Sequence, residues 1–128
     1  MTTNTLILFI NSQKGLLLLK PTKARNKSQK WELPFSTIQT EQTNDLEKAA
    51  ENILWQQTRI RFKRIISISK PVVYFTYEKN SNQRLFVLQL YTQKTIVQTN
   101  CFHVKHKWTS KQIQSNYTGL TNWLLKHI

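Results

Sequence analysis

Six carboxylates are all that this 128-residue chain offers for acid-base or metal chemistry, and five of them, Glu32, Glu41, Asp45, Glu47 and Glu51, fall between residues 32 and 51. Glu47 and Glu51 stand i, i+4, the interval that sets two side chains on one face of a helix. Further along the same stretch the polar side chains are amides, Asn52, Gln56 and Gln57. An amide offers one neutral oxygen, whereas a hard divalent cation wants several ligands, most of them anionic. A second group, Cys101, His103 and His106, has ligand-type side chains at spacings of two and three. Structural zinc takes four protein ligands, and the remaining histidine, His127, lies far along the chain, so no metal site is expected. Cys101 also lacks a catalytic frame.

The other chemistry is cationic. Nineteen Lys and Arg against six Asp and Glu give a net charge of +13, a positive field that favours polyanionic partners. The segment 20–30, KPTKARNKSQK, holds five basic residues and no acid. Its Lys23, Arg25, Lys27 and Lys30, with Arg61, Lys63, Arg64, Lys105 and Lys107, are the candidates for phosphate contact. The plainer reading of each is a solvated charge. Two glycines exclude a glycine-rich phosphate loop. One cysteine precludes an intrachain disulfide, no signal segment is visible, and the apolar run TLILFI is too short to cross a bilayer, so a cytoplasmic setting without membrane contact is expected.

These residues need a scaffold, and the chain is long enough for one domain, 1–128, with a real core. Thr5–Ile10 and Gly15–Lys20 read as a hairpin, and Pro21 ends its second strand. Phe35–Asn44 reads as a polar loop. Asn44 or Asp45 then caps a helix over about 45–58, with Leu46, Ala49, Ala50, Ile53, Leu54 and Gln57 inward and Glu47, Lys48, Glu51, Trp55 and Thr58 off that face. Arg59 stands where helices often end in glycine. Ile65–Ser69, Val72–Tyr77 and Arg84–Tyr91 read as strands, the last two paired across a loop at Glu78–Gln83. Thr95–Thr99 and Phe102–Trp108 are shorter strands, Ser110–Gln114 one helical turn, and a second helix covers about 119–127, with Leu120, Trp123 and Leu124 inward. Trp31, Trp108 and Trp123 read as core aromatics and Trp55 as the most exposed of the four. The class is α+β with a mixed, largely antiparallel sheet.

The pieces LILFINSQKGLLLLK, WELP, LEKAAENILWQQTRI and KWTSKQI resemble, in order and spacing, the Nudix hydrolase fold. That resemblance implies an α/β/α sandwich and, in the family, carboxylates at i, i+3 and i+4 of the first helix that hold magnesium against a pyrophosphate. With Ile60 at the family's last apolar position, Ile53, Gln56 and Gln57 take those three places, Asn52 the arginine, Arg59 the glycine, and Phe35 with Ser36 the paired glycines. The resemblance therefore implies a degenerate box with no catalytic residue and no cofactor. A weaker similarity runs to the C-terminal domain of the adenine glycosylase MutY, which reads 8-oxo-guanine: its Phe-Ser-His loop resembles Phe75-Thr76-Tyr77, implying a hydroxyl role for Thr76 and aromatic faces at Phe75 and Tyr77. The plainer reading of those three residues is a strand with alternate faces buried.

Three functions remain in play. The first is a non-catalytic Nudix-fold domain that binds nucleic acid or a nucleotide through a basic face, with oxidised purine in DNA as its specific form. The second is a Nudix-type pyrophosphohydrolase with a displaced metal site at Glu41, Glu47 or Glu51. The third is a regulatory module that meets a catalytic or regulatory protein partner through the first helix and Trp55.

Overall fold

The computed structural model describes residues 2–78 and 81–127, and the backbone alone for residues 2, 76–78 and 81. Along the chain run β1 (Thr2–Ser12), β2 (Gly15–Pro21), β3 (Phe35–Ile38), α1 (Leu46–Thr58), β4 (Ile65–Ile68), β5 (Val72–Glu78), β6 (Ser81–Thr92), β7 (His103–Thr109) and α2 (Gly119–His127). One mixed sheet has the order β4-β6-β1-β2-β7, with β3 added to β1 and β5 to β6.

The apolar run Leu6–Ile10 explains this centre. Every one of its residues is buried, as in a strand covered on both faces. It lies parallel to β6 from Thr2↔Asn82 to Asn11↔Tyr91, and its other edge is shared by β2 and β3. Alternation then sorts side chains between two cores. Leu6, Leu8, Ile10, Leu17 and Leu19 pack beneath Ala49, Ala50, Ile53 and Leu54 of α1. Ile7, Phe9, Leu16 and Leu18 pack on the other face with Tyr117 and with Leu124 of α2. Helices on both faces make the expected α/β/α arrangement, and truncating fully buried Leu54 to alanine would cost about 2–5 kcal/mol. Among the described residues no helix is long and apolar enough to cross a membrane.

The β1-β2 turn requires its glycine. Gly15 has φ +116°, and a Cβ there would press into the carbonyl of Thr109. Helix α1 has both its stops. The Asp45 carboxylate accepts from the Lys48 N–H at 3.2 Å, and Arg59 closes the C-terminus with φ 59° and ψ 21°, its N–H donating to the Trp55 carbonyl.

Five expectations are corrected. Phe35–Asn44 is not a loop: Phe35–Ile38 pairs with β1, whose edge would otherwise be open there, and Thr40–Asn44 is a 3-10 turn. Thr95–Thr99 forms no strand, because α1 and β7 capture it: Gln98 N–H donates to the Thr58 carbonyl and Trp108 Nε1 to that of Thr95. Ser110–Gln114 forms no helical turn; Gln114 is held from outside by the side chain of Asn122. Thr58 points inward, where its hydroxyl donates to the Leu54 carbonyl and accepts from the Ile60 N–H. Within the span read as a loop, Glu78–Gln83, β5 runs to Glu78 and β6 starts at Ser81, and residues 79 and 80 lie outside the described residues.

Candidate functional site

A cleft of about 300 Å³ opens where the basic loop meets the end of α1, lined by Arg25, Phe35, Ser36, Gln56, Gln57 and Phe102 among others. Local hydrogen bonds set its cationic wall. Thr22 N–H donates to the Phe102 carbonyl at 3.0 Å, and the N–H groups of Arg25 and Asn26 turn back onto the Thr22 carbonyl at 3.2 and 2.9 Å. Asn100 fixes the facing turn, its Oδ1 accepting from Phe102 N–H at 3.0 Å. The Arg25 guanidinium thereby sits 5.2 Å from the centre of the Phe35 ring and 5.9 Å from that of Phe102, within cation-π range of both.

Behind Arg25 lies the carboxylate of the Trp-Glu-Leu-Pro segment, to which its sequence assigns no role. Glu32 is 4% exposed and clamped to Leu19 by two backbone hydrogen bonds of 2.8 and 2.9 Å. Its Oε2 is 3.3 Å from Arg25 Nη2 and 3.3 Å from Nε2 of buried His103. The ring's Nδ1 is buried with no hydrogen-bond partner among the described residues, so Glu32 is the polar anchor of His103. A buried carboxylate is tolerated only with such partners. It fixes the arginine's direction and leaves several of its donors free for a ligand.

The opposite wall belongs to α1. Gln57 Nε2 donates to the Phe35 carbonyl at 2.8 Å, while its Oε1 is buried with no hydrogen-bond partner among the described residues. Gln56 is exposed at the rim, Ile53 is buried in the core, and Asn52 faces solvent. These residues do not fit magnesium: one orphaned neutral oxygen, a rim amide and an isoleucine supply none of the anionic ligands a hard cation needs. Glu41, Glu47 and Glu51 are exposed, and among the described residues no three side chains of His, Cys, Asp or Glu gather as a metal site. At 100° per residue, Gln56 lies about 140° round the helix from Glu51, so the Glu47–Glu51 pair faces away from the cleft.

The remaining candidates are spread out. Lys23, Lys27 and Lys30 share Arg25's loop and are exposed. Lys105 is exposed on β7 opposite Lys20, whereas Lys107 is partly buried, its ammonium 4.5 Å from the centre of Trp31 and 4.8 Å from that of Tyr117. Arg61, Lys63 and Arg64 follow α1 and precede β4, at the far end of the sheet order from β7; four strand spacings make that about 19 Å. Phe75 is 65% exposed on β5, and the side chains of Thr76 and Tyr77 lie outside what is described. The register Phe35↔Ile7, Ile7↔Val87 and Val87↔Val72 puts β5 three strand spacings, about 14 Å, from β3 and its cleft. Cys101 and His106 are exposed while His103 is buried against Glu32, so these three do not converge.

No family model matches the chain, and no curated protein does. Solved structures do. A MutT NUDIX hydrolase from Burkholderia pseudomallei superposes with a TM-score of 0.73 at 14% identity, covering 100% of this chain and 98% of the other. An Ap4A hydrolase of C. elegans, solved as a binary complex, matches with a TM-score of 0.62 at 16% identity over 98% and 92%. The E. coli dihydroneopterin triphosphate pyrophosphohydrolase matches with a TM-score of 0.69 at 10% identity over 98% and 93%. The two-faced sheet, the capped α1 and these superpositions over nearly the full length establish that the chain has the Nudix hydrolase fold.

Proposed function

We propose that this Nudix-fold chain binds a nucleotide or nucleic acid through its basic surface, with the Arg25 cleft as the centre that receives phosphate, and does not hydrolyse what it binds. The observation that carries this reading is the exchange of chemistry across one cleft: an arginine oriented by buried Glu32 on one wall, and amides in place of carboxylates on the other. Arginine presents a planar fork of donors that suits phosphate, and Phe35 and Phe102 give a flat ring surfaces to lie against. The same basic composition and single free cysteine suit a cytoplasmic protein. The oxidised-purine form of the reading assigns base recognition to Phe75, Thr76 and Tyr77, on a strand about 14 Å from the cleft by strand count.

The test is calorimetric titration with ATP and with a diadenosine polyphosphate in EDTA. Binding without product, weakened about tenfold or more by Arg25→Met, supports the proposal, because a charge-assisted contact is worth about 1.5–3 kcal/mol. Its absence in EDTA refutes it.

A second reading, a metal-dependent pyrophosphohydrolase using Glu41, Glu47 or Glu51, is favoured by the solved structures above, which are hydrolases by description. Manganese- or magnesium-dependent release of phosphate or pyrophosphate above background, lost in Glu47→Gln or Glu51→Gln, would replace the first reading with this one.

A further inference from the structure

We infer that the C-terminal end of α1 carries a second contact surface, a stacking platform for single-stranded nucleic acid built from Trp55, Arg59 and Arg61. It rests on the nucleic-acid half of the preceding proposal but uses a different surface, since Trp55 lies about 100° round the helix from Gln56 at the cleft rim.

Trp55 is a large aromatic left 38% exposed, and both neighbouring guanidinium groups lie against it, Arg59 Cζ 5.0 Å and Arg61 Cζ 4.8 Å from the ring centre. Arg59 is there at a conformational cost. It holds the left-handed backbone in which a side chain is strained and glycine is the ordinary choice, and that conformation presents its guanidinium to the indole. Glu51, one turn before Trp55, makes no ion pair with either arginine; among the described residues the ion pairs run from Glu32 to Arg25 and His103.

The positive surface then continues. From Asn52 to Tyr77 the chain has no acidic residue. A 3-10 turn over Phe62–Arg64 brings Lys63 and Arg64 into a groove of about 390 Å³ that Lys94 also lines. The indole is a π surface on which any base can stack once the arginines over it move to the phosphates of the same strand, and the further cations meet the rest of its backbone. A duplex keeps its bases stacked on one another and cannot use the platform, which selects for single strands.

The experiment is fluorescence anisotropy with a labelled 12-nucleotide oligothymidylate, a duplex of equal length, and polyphosphate as competitor. The single strand is expected to bind about tenfold or more tighter than the duplex, with a log-log salt slope of about −3 for four phosphate contacts. Trp55→Ala should weaken binding about tenfold with little change in slope, as loss of one stacked base does. Arg59→Gly should reduce the slope by about 0.7. Because glycine relieves the left-handed strain, that variant should melt no lower than the parent, so its weaker binding is not unfolding. Lys14→Met, on the exposed β1-β2 turn, should leave the oligonucleotide affinity within about twofold, and Arg25→Met should weaken it less than Trp55→Ala does.

Unchanged binding in Trp55→Ala overturns the inference, as does polyphosphate competing as well as the oligonucleotide at equal charge, which would mark a site for any polyanion. Binding lost in Arg25→Met but kept in Trp55→Ala moves the strand into the cleft, overturning this inference while the proposed function stands. Failure to bind either the oligonucleotide or the nucleotides removes both.

Discussion

Replacing Glu32 by alanine removes the carboxylate whose Oε2 lies 3.3 Å from both Arg25 Nη2 and His103 Nε2. The Glu32 side chain is 6% exposed and that of His103 0%, so this contact resembles a buried pair, whose disruption costs about 3–5 kcal/mol. The Arg25 side chain is 27% exposed and can re-solvate, which reduces its share toward the 1 kcal/mol or less of a surface pair. With the lower end taken for the first, the sum is about 3–4 kcal/mol for Glu32→Ala. Glu32→Gln keeps the shape and one acceptor oxygen, and about 1 kcal/mol is expected. For a domain of this size 1 kcal/mol moves the melting temperature by about 3–5 °C, so the alanine variant should melt roughly 10 °C lower. Urea denaturation followed by tryptophan fluorescence measures both, and a double-mutant cycle with Arg25→Met should return a coupling of about 1 kcal/mol. A Glu32→Ala midpoint within about 0.5 kcal/mol of the parent would refute the view that this carboxylate anchors the cleft. The same loss should loosen Arg25 and weaken nucleotide binding several-fold in both variants.

Three further substitutions probe separate parts of the structure. Gln57→Glu sets a carboxylate oxygen against the Phe35 carbonyl that Nε2 now serves; it should destabilise by about 2 kcal/mol at neutral pH, and a melting curve that does not drop would show that the wall can accept an anion. Thr58→Val keeps the buried shape but strands the Ile60 N–H, for an expected loss of about 1–2 kcal/mol in chemical denaturation. Gly15→Ala meets both an unfavourable φ and the Thr109 carbonyl, so a loss of about 2 kcal/mol or more is expected, accompanied by faster hydrogen exchange in the adjoining ends of β1, β2 and β7.

Residues whose roles are local were readable in sequence. Asp45 caps α1 and Arg59 closes it, because a cap or a left-handed stop involves residues within one turn. Leu6–Ile10 announced a strand by its apolar run, while the burial of both its faces follows from the sheet around it. Phe35–Ile38 did not announce one, since four residues between Pro34 and Gln39 carry little periodicity and become a strand only because β1 has an edge to pair. Thr95–Thr99 shows the converse: its β-branched residues favour a strand, but contacts from Thr58 and Trp108 hold it as irregular chain with Ile96 77% exposed. The Arg25–Glu32–His103 group was out of reach for a related reason. Its histidine is 71 positions from its carboxylate, and the pairing follows from a sheet that sets β7 beside β2.

The parallel pairing of β1 with β6 has a consequence for how the chain is made. Leu6 waits for Phe86, about eighty residues away, and in the meantime the hairpin with β2 supplies a short register, Asn11↔Leu16 and Ser12↔Gly15. At translation rates of about 5–20 residues per second, the most apolar segment of the molecule stays without its main partner for roughly 4–16 s. A nascent chain stalled before Ser81 therefore presents to its neighbours an uncharged strand, TLILFI, with its β6 edge unpaired, and expression of this protein should be limited by aggregation of such chains more than by stability of the finished fold.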